Sequence, residues 1–244
     1  MAVGNGDAPG AAERAAYVAY TAFRAVGPGA DADPLAAEDL AAEAERCLEP
    51  VTLRGAYDLT GFRAEADLLL WLIADDPVPL QDALAAFQRS RLGAMLELWW
   101  SAIGVVRPAE FNAAHRPAFV EGLGPLEFVC VYPYVRTHDW YLLPAEERST
   151  LLAEHGRMGR EFPAIQANTV SAFGLGDYEW LLAFEADELI PITDLMRRLR
   201  AAGARRYTRH ELPFLTGRRR PLVEIAALVD SVATSRAPAP RPVP

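Results

Sequence analysis

The sequence contains no lysine, so all 24 of its basic residues are arginine. Cysteine is nearly absent as well. Cys47 and Cys130 lie far apart, without the close spacing of a metal-binding knuckle, and read as buried free thiols in a reducing compartment. No apolar run reaches membrane-spanning length. Residues 1–14 are Gly, Ala and charge rather than the apolar core of a signal peptide. These features predict a cytoplasmic protein with no membrane partner. A basic surplus is missing too: the net charge is −9 and the pI about 5.0. That balance argues against a general phosphate-binding surface and so against a nucleic-acid partner. What is present is apolar mass, 51% hydrophobic against 23% charged over 244 residues. Such a chain can pack one large domain or two small fused ones.

The chain repeats itself at an offset of 112 residues. Tyr20 and Arg24 are matched by Tyr132 and Arg136. Asp75, Pro79 and Asp82 are matched by Asp187, Pro191 and Asp194, and Leu80, Leu84 and Phe87 by Ile192, Met196 and Leu199. One spacing across several blocks points to duplication of a supersecondary unit. In the first unit, residues 17–26 read as a strand, although their Ala content also permits helix. Asp33 and Pro34 open a helix that runs to Leu48. Strands follow at 51–59 and 66–74, a helix at 79–92 and a strand at 98–106. The second unit predicts a strand at 128–136, a helix at 144–162, strands at 165–173 and 178–184, a helix at 191–202 and a strand at 206–214. Each order is β-α-β-β-α-β, the ferredoxin-like arrangement. The fold class is therefore α+β, with two ferredoxin-like units covering each other's sheets in one barrel domain. The organisation expected is a disordered tail at 1–15, units at 16–125 and 126–222, and a C-terminal helix and Pro-rich tail at 223–244.

Four histidines are present: His115, His138, His155 and His210. Leu151, His155, Met158 and Phe162 follow one helical face, which predicts an imidazole in the middle of a buried stripe. Gly156 and Gly159 lie beside it, at a cost of roughly 1 kcal/mol each relative to Ala. Room for a flat body near the backbone would offset that cost. A core histidine with glycines for helix packing fits the same pattern, and the residues alone leave both open. The matching position in the first unit is Glu43, so the fold does not demand His there. Tyr132 and Arg136 share strand parity, and Pro133 between them predicts a strand edge or end. A Tyr and an Arg on one face suit an anionic ligand, or equally a cross-strand aromatic and a surface Arg.

Several blocks together resemble a known family. They are Tyr132-Pro-Tyr-Val-Arg136, Trp140-Tyr-Leu-Leu-Pro144, Glu154-His-Gly-Arg-Met-Gly-Arg160 and Gly176-Asp-Tyr-Glu-Trp180. The chain is similar to the coproheme decarboxylases, in their actinobacterial branch, of the chlorite dismutase-like superfamily of dimeric α+β barrels. The resemblance covers roughly residues 16–220 and is most specific over 128–187. It implies His155 as the proximal iron ligand, Tyr132 as the redox-active tyrosine and His115 as the distal histidine. It also implies Arg136 at the propionate end of the pocket and Trp140 close to the porphyrin. Chlorite-degrading relatives carry a distal Arg and firmicute decarboxylases a Gln. The position here aligns with Ala167, which leaves His115 as the distal polar candidate.

The activity implied is peroxide-dependent decarboxylation of two propionates of Fe-coproporphyrin III (coproheme). The product is haem b, formed through a three-propionate intermediate in the last step of haem biosynthesis. Coproheme is then both substrate and redox cofactor, with His115 moving the peroxide proton and a Tyr132 radical abstracting hydrogen from the propionate Cβ. The resemblance also implies a homopentamer and leaves open a transient contact with a ferrochelatase. His138 and His210 read as surface or interface residues. The competing readings are a chlorite dismutase-like peroxidase, a haem carrier or sensor, and a cofactor-free barrel oxygenase.

Overall fold

The structure, a computed structural model, describes residues 16–27, 36–107 and 116–235. The expected tail at 1–15, the helix start at Asp33 and Pro34, the Pro-rich end and His115 lie outside the described residues. The first half runs β1 (Tyr17–Ala25), α1 (Ala37–Leu48), β2 (Thr52–Asp58), β3 (Leu68–Ala74), α2 (Pro77–Arg89) and β4 (Leu96–Val105). The second runs β5 (Phe128–Arg136), α3 (His138–Leu142), α4 (Ala145–Gly159), β6 (Gln166–Ser171), β7 (Trp180–Ala186), α5 (Leu189–Leu199), β8 (Thr208–His210) and β9 (Leu215–Arg220). α6 (Leu222–Ser235) closes the described chain. No helix among the described residues is long and apolar enough to cross a membrane.

Both halves use one strand order. The first sheet is β4-β1-β3-β2 and the second is β9-β5-β7-β6, antiparallel throughout. The two join where β2 pairs β9 and where Val105 of β4 pairs Ser171 of β6, so the strands close into a barrel. β3 (LLLWLIA) is buried on both faces, as a strand between the barrel interior and a helix layer must be. Leu68, Leu70 and Leu72 face the helices, while Leu69 and Trp71 face inward with Tyr20, Tyr57, Val131 and Leu181. Local chemistry starts α2: Asp76 accepts a hydrogen bond from the Val78 N–H (2.8 Å), and Pro77 follows the cap.

Two sequence expectations need correction and one is narrowed. The strand placed at 206–214 is a 3-10 turn at Gly203–Tyr207, a short strand β8, a break containing Pro213, and then β9. Pro213 has no N–H for a ladder, and β9 is the strand that completes the second unit. Pro133 is not at a strand end: it pairs with Leu181 in the middle of β5. It is at a local edge, because β9 has stopped pairing at Val131 and β8 starts only at Val135. On that side no ladder bond is asked of it.

The second correction concerns the offset. It is 112 for β3 and β7 and for α2 and α5, but Tyr20 and Tyr132 are not equivalent. Tyr20 pairs Trp71 and points into the barrel, whereas Tyr132 pairs Leu182 and points out toward the helices. The counterpart of Tyr132 is Thr21, which pairs Leu70, an offset of 111. A slip of one residue exchanges the faces of a strand.

Candidate active site

The two helix layers are packed differently. In the first half, α1 buries Leu40, Ala41, Ala44 and Leu48 against the sheet, and α6 packs beside it through Ile225, Ala226 and Val229. The strand residues beneath, Leu68, Leu70 and Leu72, are 0% exposed. In the second half, the equivalents of Leu68 and Leu70 are Trp180 and Leu182, and both are half-buried. Tyr134, Ala167 and Thr169 on the same outer face are also half-buried.

α4 stands off this face. Among its residues only Met158 is buried. On α4, Leu151, Leu152, His155 and Gly159 share one helical face. Those four are half-buried, whereas Leu40, Ala41, Ala44 and Leu48 of α1 are buried. His155 is therefore not sealed into a buried stripe. A Cβ on Gly159 would meet nothing within 4 Å, and one on Gly156 only an Arg160 guanidinium nitrogen at 3.6 Å. The helix is held instead at its sides. Glu154 accepts the Gly203 N–H (2.8 Å), and Phe162, just past the helix, packs on the cluster around Tyr132. A Cβ on Gly203 would lie 2.8 Å from Leu151 Cδ2 and 3.1 Å from Glu154 Oε2, so these side-chain ends would have to shift to admit one.

Tyr132 lies on the sheet side of this space, 4% exposed. Its ring stacks on Phe214 (4.6 Å between centroids, 26° between planes) and tilts against Phe184 (5.9 Å). Burial, with smaller contributions from Cys130 and Glu211, pushes the phenol well above its ordinary range. Tyr132 is therefore a neutral O–H at physiological pH. Cys130 is on the same face and buried, its thiol pushed up to about 11 by desolvation. Cys47 is half-buried, and both are free thiols.

Arg136 and Trp140 form one corner. The guanidinium lies 4.0 Å from the Trp140 ring centroid and 4.8 Å from that of Tyr134, and it donates to the Ala204 carbonyl (2.9 Å). Trp140 is 3% exposed and packs on Tyr207 (5.6 Å). Desolvation pulls the Arg136 pKa below the usual guanidinium value, with nearby Tyr and Glu groups opposing. A partly desolvated cation of this kind gains from an anionic partner. Ala167 lies on the outer face of β6, and its carbonyl accepts from the Ala118 N–H (3.2 Å). His138 and His210 are exposed, and His210 stacks on Tyr178.

Sequence reasoning missed several residues here. Strand parity from Tyr132 points to Cys130 and Tyr134, but nothing local marks Phe184, Phe214 or Tyr207 as its surroundings. Glu179 was missed as well, although it stands in the Gly176–Trp180 block. Among the described residues no three His, Cys, Asp or Glu side chains cluster as a metal cage. A metal at His155 would need to bring its remaining ligands with it, as the nitrogens of a porphyrin do. A separate groove of about 680 Å3, lined by Trp99, Trp100 and Tyr178, shares no lining residue with α4.

The chlorite dismutase family model matches residues 35–220. The chain belongs to the chlorite dismutase family. Within it, the chain is 48% identical over 209 residues to the coproheme decarboxylase of Mycolicibacterium smegmatis, covering 83% of this chain and 89% of that protein. The coproheme decarboxylase of Staphylococcus saprophyticus is 24% identical over 160 residues, 59% of this chain and 64% of that protein. Solved structures of chlorite dismutase from Candidatus Nitrospira defluvii share the fold. A double mutant superposes with a TM-score of 0.78 at 24% identity, and an imidazole complex with 0.76 at 23%; both cover 88% of this chain and 95% of theirs. The dimeric α+β barrel of this family is thus the architecture of the chain.

Proposed function

We propose that this chain is a coproheme decarboxylase, using hydrogen peroxide to convert two propionates of coproheme to vinyls and release haem b. One observation carries the reading. His155 on α4, and Tyr134, Ala167, Thr169 and Leu182 on the outer sheet face, are only half-buried where the first half is sealed by leucines, and Tyr132 and Arg136 stand on the same strand as Tyr134. The family, and a relative of 48% identity named for this activity, support it.

In this reading coproheme is the substrate and lies flat between α4 and the outer face of β5, β6 and β7. The imidazole of His155 binds its iron from the helix side, and the glycines beside His155 let the macrocycle approach the backbone. Bound there, coproheme would supply the oxidising power when peroxide reacts with it. Ala167 offers no side-chain donor on the sheet side. His115 takes the peroxide proton and returns it, a task suited to an imidazole that titrates near neutrality. Arg136 pairs with a propionate carboxylate, and Trp140 holds the guanidinium flat.

Tyr132 gives up its phenol hydrogen atom and then takes one from the propionate Cβ. The carbon radical then gives one more electron to the second oxidising equivalent that peroxide supplies, and breaking the bond to the carboxylate releases CO2 and leaves a vinyl group. The balance for each propionic acid is one hydrogen peroxide consumed, with one vinyl, one CO2 and two waters formed. Repeating it gives haem b through a three-propionate intermediate. We further propose a homopentamer in the cytoplasm and a transient contact with a ferrochelatase that supplies coproheme.

The test is a titration with coproheme followed by peroxide, read by product mass. Loss of two CO2 supports the reading. Tight binding with no mass change would favour a carrier or sensor. A colourless protein indifferent to the porphyrin would remove the proposal altogether.

A further inference from the structure

Glu179 has no part in the chemistry above, yet it is built into the corner that carries Arg136. The β5–β7 ladder ends at the pair Tyr134 and Trp180. Beyond it, the register of β5 with β8 is irregular between Val135 and Arg136. The Arg136 backbone therefore leaves the β7 ladder just before the residue whose side chain faces the site. Glu179 takes over as acceptor. Its Oε2 receives the Arg136 N–H at 2.7 Å and the Tyr141 O–H at 2.6 Å. Its own N–H donates to the Tyr134 carbonyl (3.3 Å), and its carbonyl accepts from Ala172 (2.8 Å). Burial, the hydrogen bond to Glu179 and its charge all raise the Tyr141 pKa, keeping that hydroxyl a donor. One carboxylate thus ties the end of β5, helix α3 and the turn before β7.

A carboxylate here looks adverse on charge grounds, because the proposed substrate carries four of its own. The cost is offset only if the group does something a neutral side chain would do less well. Charge-assisted bonds to a backbone N–H and a phenol are strong and short, and they fix the backbone from which the Arg136 side chain departs. The guanidinium is then steadied by Trp140 and by Ala204. Resting on the functional reading above, we propose that Glu179 is a positioning residue. It aims Arg136 at a substrate carboxylate, so that the site favours the four-propionate porphyrin over its two-propionate product.

The test is a Soret titration of the full-length protein with coproheme and, separately, with haem b. The variants are Glu179→Ala, Glu179→Gln, Arg136→Ala and the double variant Glu179→Ala/Arg136→Ala. Glu179→Ala should weaken coproheme binding about tenfold and haem b binding about twofold or less. Glu179→Gln should fall between wild type and Glu179→Ala, because its amide oxygen can still accept from Arg136 but without the charge. The double variant should bind coproheme no more weakly than Arg136→Ala alone. Equal losses for both porphyrins, an additive double variant, or a Gln variant as damaged as the Ala variant would each overturn the inference. Amide exchange on the wild-type protein provides a check that needs no variant to fold. The Arg136 N–H should be protected although it lies beyond the β7 ladder, and rapid exchange there would overturn the inference. Wild-type protein that binds neither porphyrin would instead overturn the functional reading, and the inference with it.

Discussion

Removing Arg54 should damage the barrel far more than removing Arg54 and Glu185 together. Arg54 lies in β2 of the first half and Glu185 in β7 of the second, with side chains 6% and 0% exposed. The guanidinium donates to Glu185 Oε2 from Nε (3.0 Å) and Nη2 (2.6 Å), and to the Leu123 carbonyl (3.0 Å) and Gln166 (3.2 Å). It also lies 4.9 Å from the Trp71 ring centroid. Arg54→Met fills most of the volume but strands a fully buried carboxylate. Tyr57 O–H (3.3 Å to Oε1) and Asn168 Nδ2 (3.1 Å to Oε2) still donate to it. Breaking a buried pair from one side costs about 3–5 kcal/mol. At about 2–4 °C per kcal/mol for a chain of this size, Tm should fall by roughly 6–20 °C. Arg54→Met/Glu185→Leu removes both charges and should recover at least about 2 kcal/mol of that loss. Urea unfolding followed by circular dichroism, at one fixed protein concentration, measures both. A single variant that loses less than about 1 kcal/mol would refute this account, as would a double variant less stable than the single.

Other perturbations test the site and its frame. Tyr132→Phe should keep coproheme binding and change stability by about 1 kcal/mol or less, yet form no haem b; a normal yield by product mass would remove Tyr132 from the chemistry. His155→Ala should lose the imidazole-ligated Soret band, and an unchanged spectrum would exclude it as the iron ligand. Iodoacetamide at pH 8 should label Cys47 well before Cys130, whose thiol is held protonated up to about 11; peptide mapping reads the order. That raised value also means the folded state keeps a proton the unfolded state loses first. The Cys130 contribution is therefore fully present below about pH 9 and is lost as pH rises toward 11. Gly104→Ala should cost about 1–3 kcal/mol, because the new Cβ would lie 2.5 Å from Val170 Cγ2 where β4 and β6 close the barrel. An unchanged urea midpoint would mean the seam can yield.

Much of this architecture was legible because it is periodic. The repeated Asp, Pro and Leu positions of α2 and α5 fix two equivalent helices, and alternation within the strands sets their faces. Duplication then predicts two sheets that must cover each other. The blocks around His155 and Tyr132 were legible for a different reason: they resemble blocks of a known family, and the resemblance implies roles for those side chains. Arg54 was not legible. It is one charge in an apolar run, and its partner lies 131 residues away. Glu179 was visible only as a letter in a motif, since its task depends on where the β5 ladder stops.

The sequence by itself determined the order of the main elements up to the last strand, the doubling and the identity of the groups that carry the proposed chemistry. Those follow from local periodicity and residue type, which need no partner. Only the tertiary structure decided that Tyr132 faces the helices while Tyr20 faces the barrel, because strand register is a relation between chains of atoms far apart in sequence. It alone decided that α1 is sealed onto its sheet and α4 is not. That difference depends on how much side-chain volume two packed layers bring together, and neither layer encodes the sum.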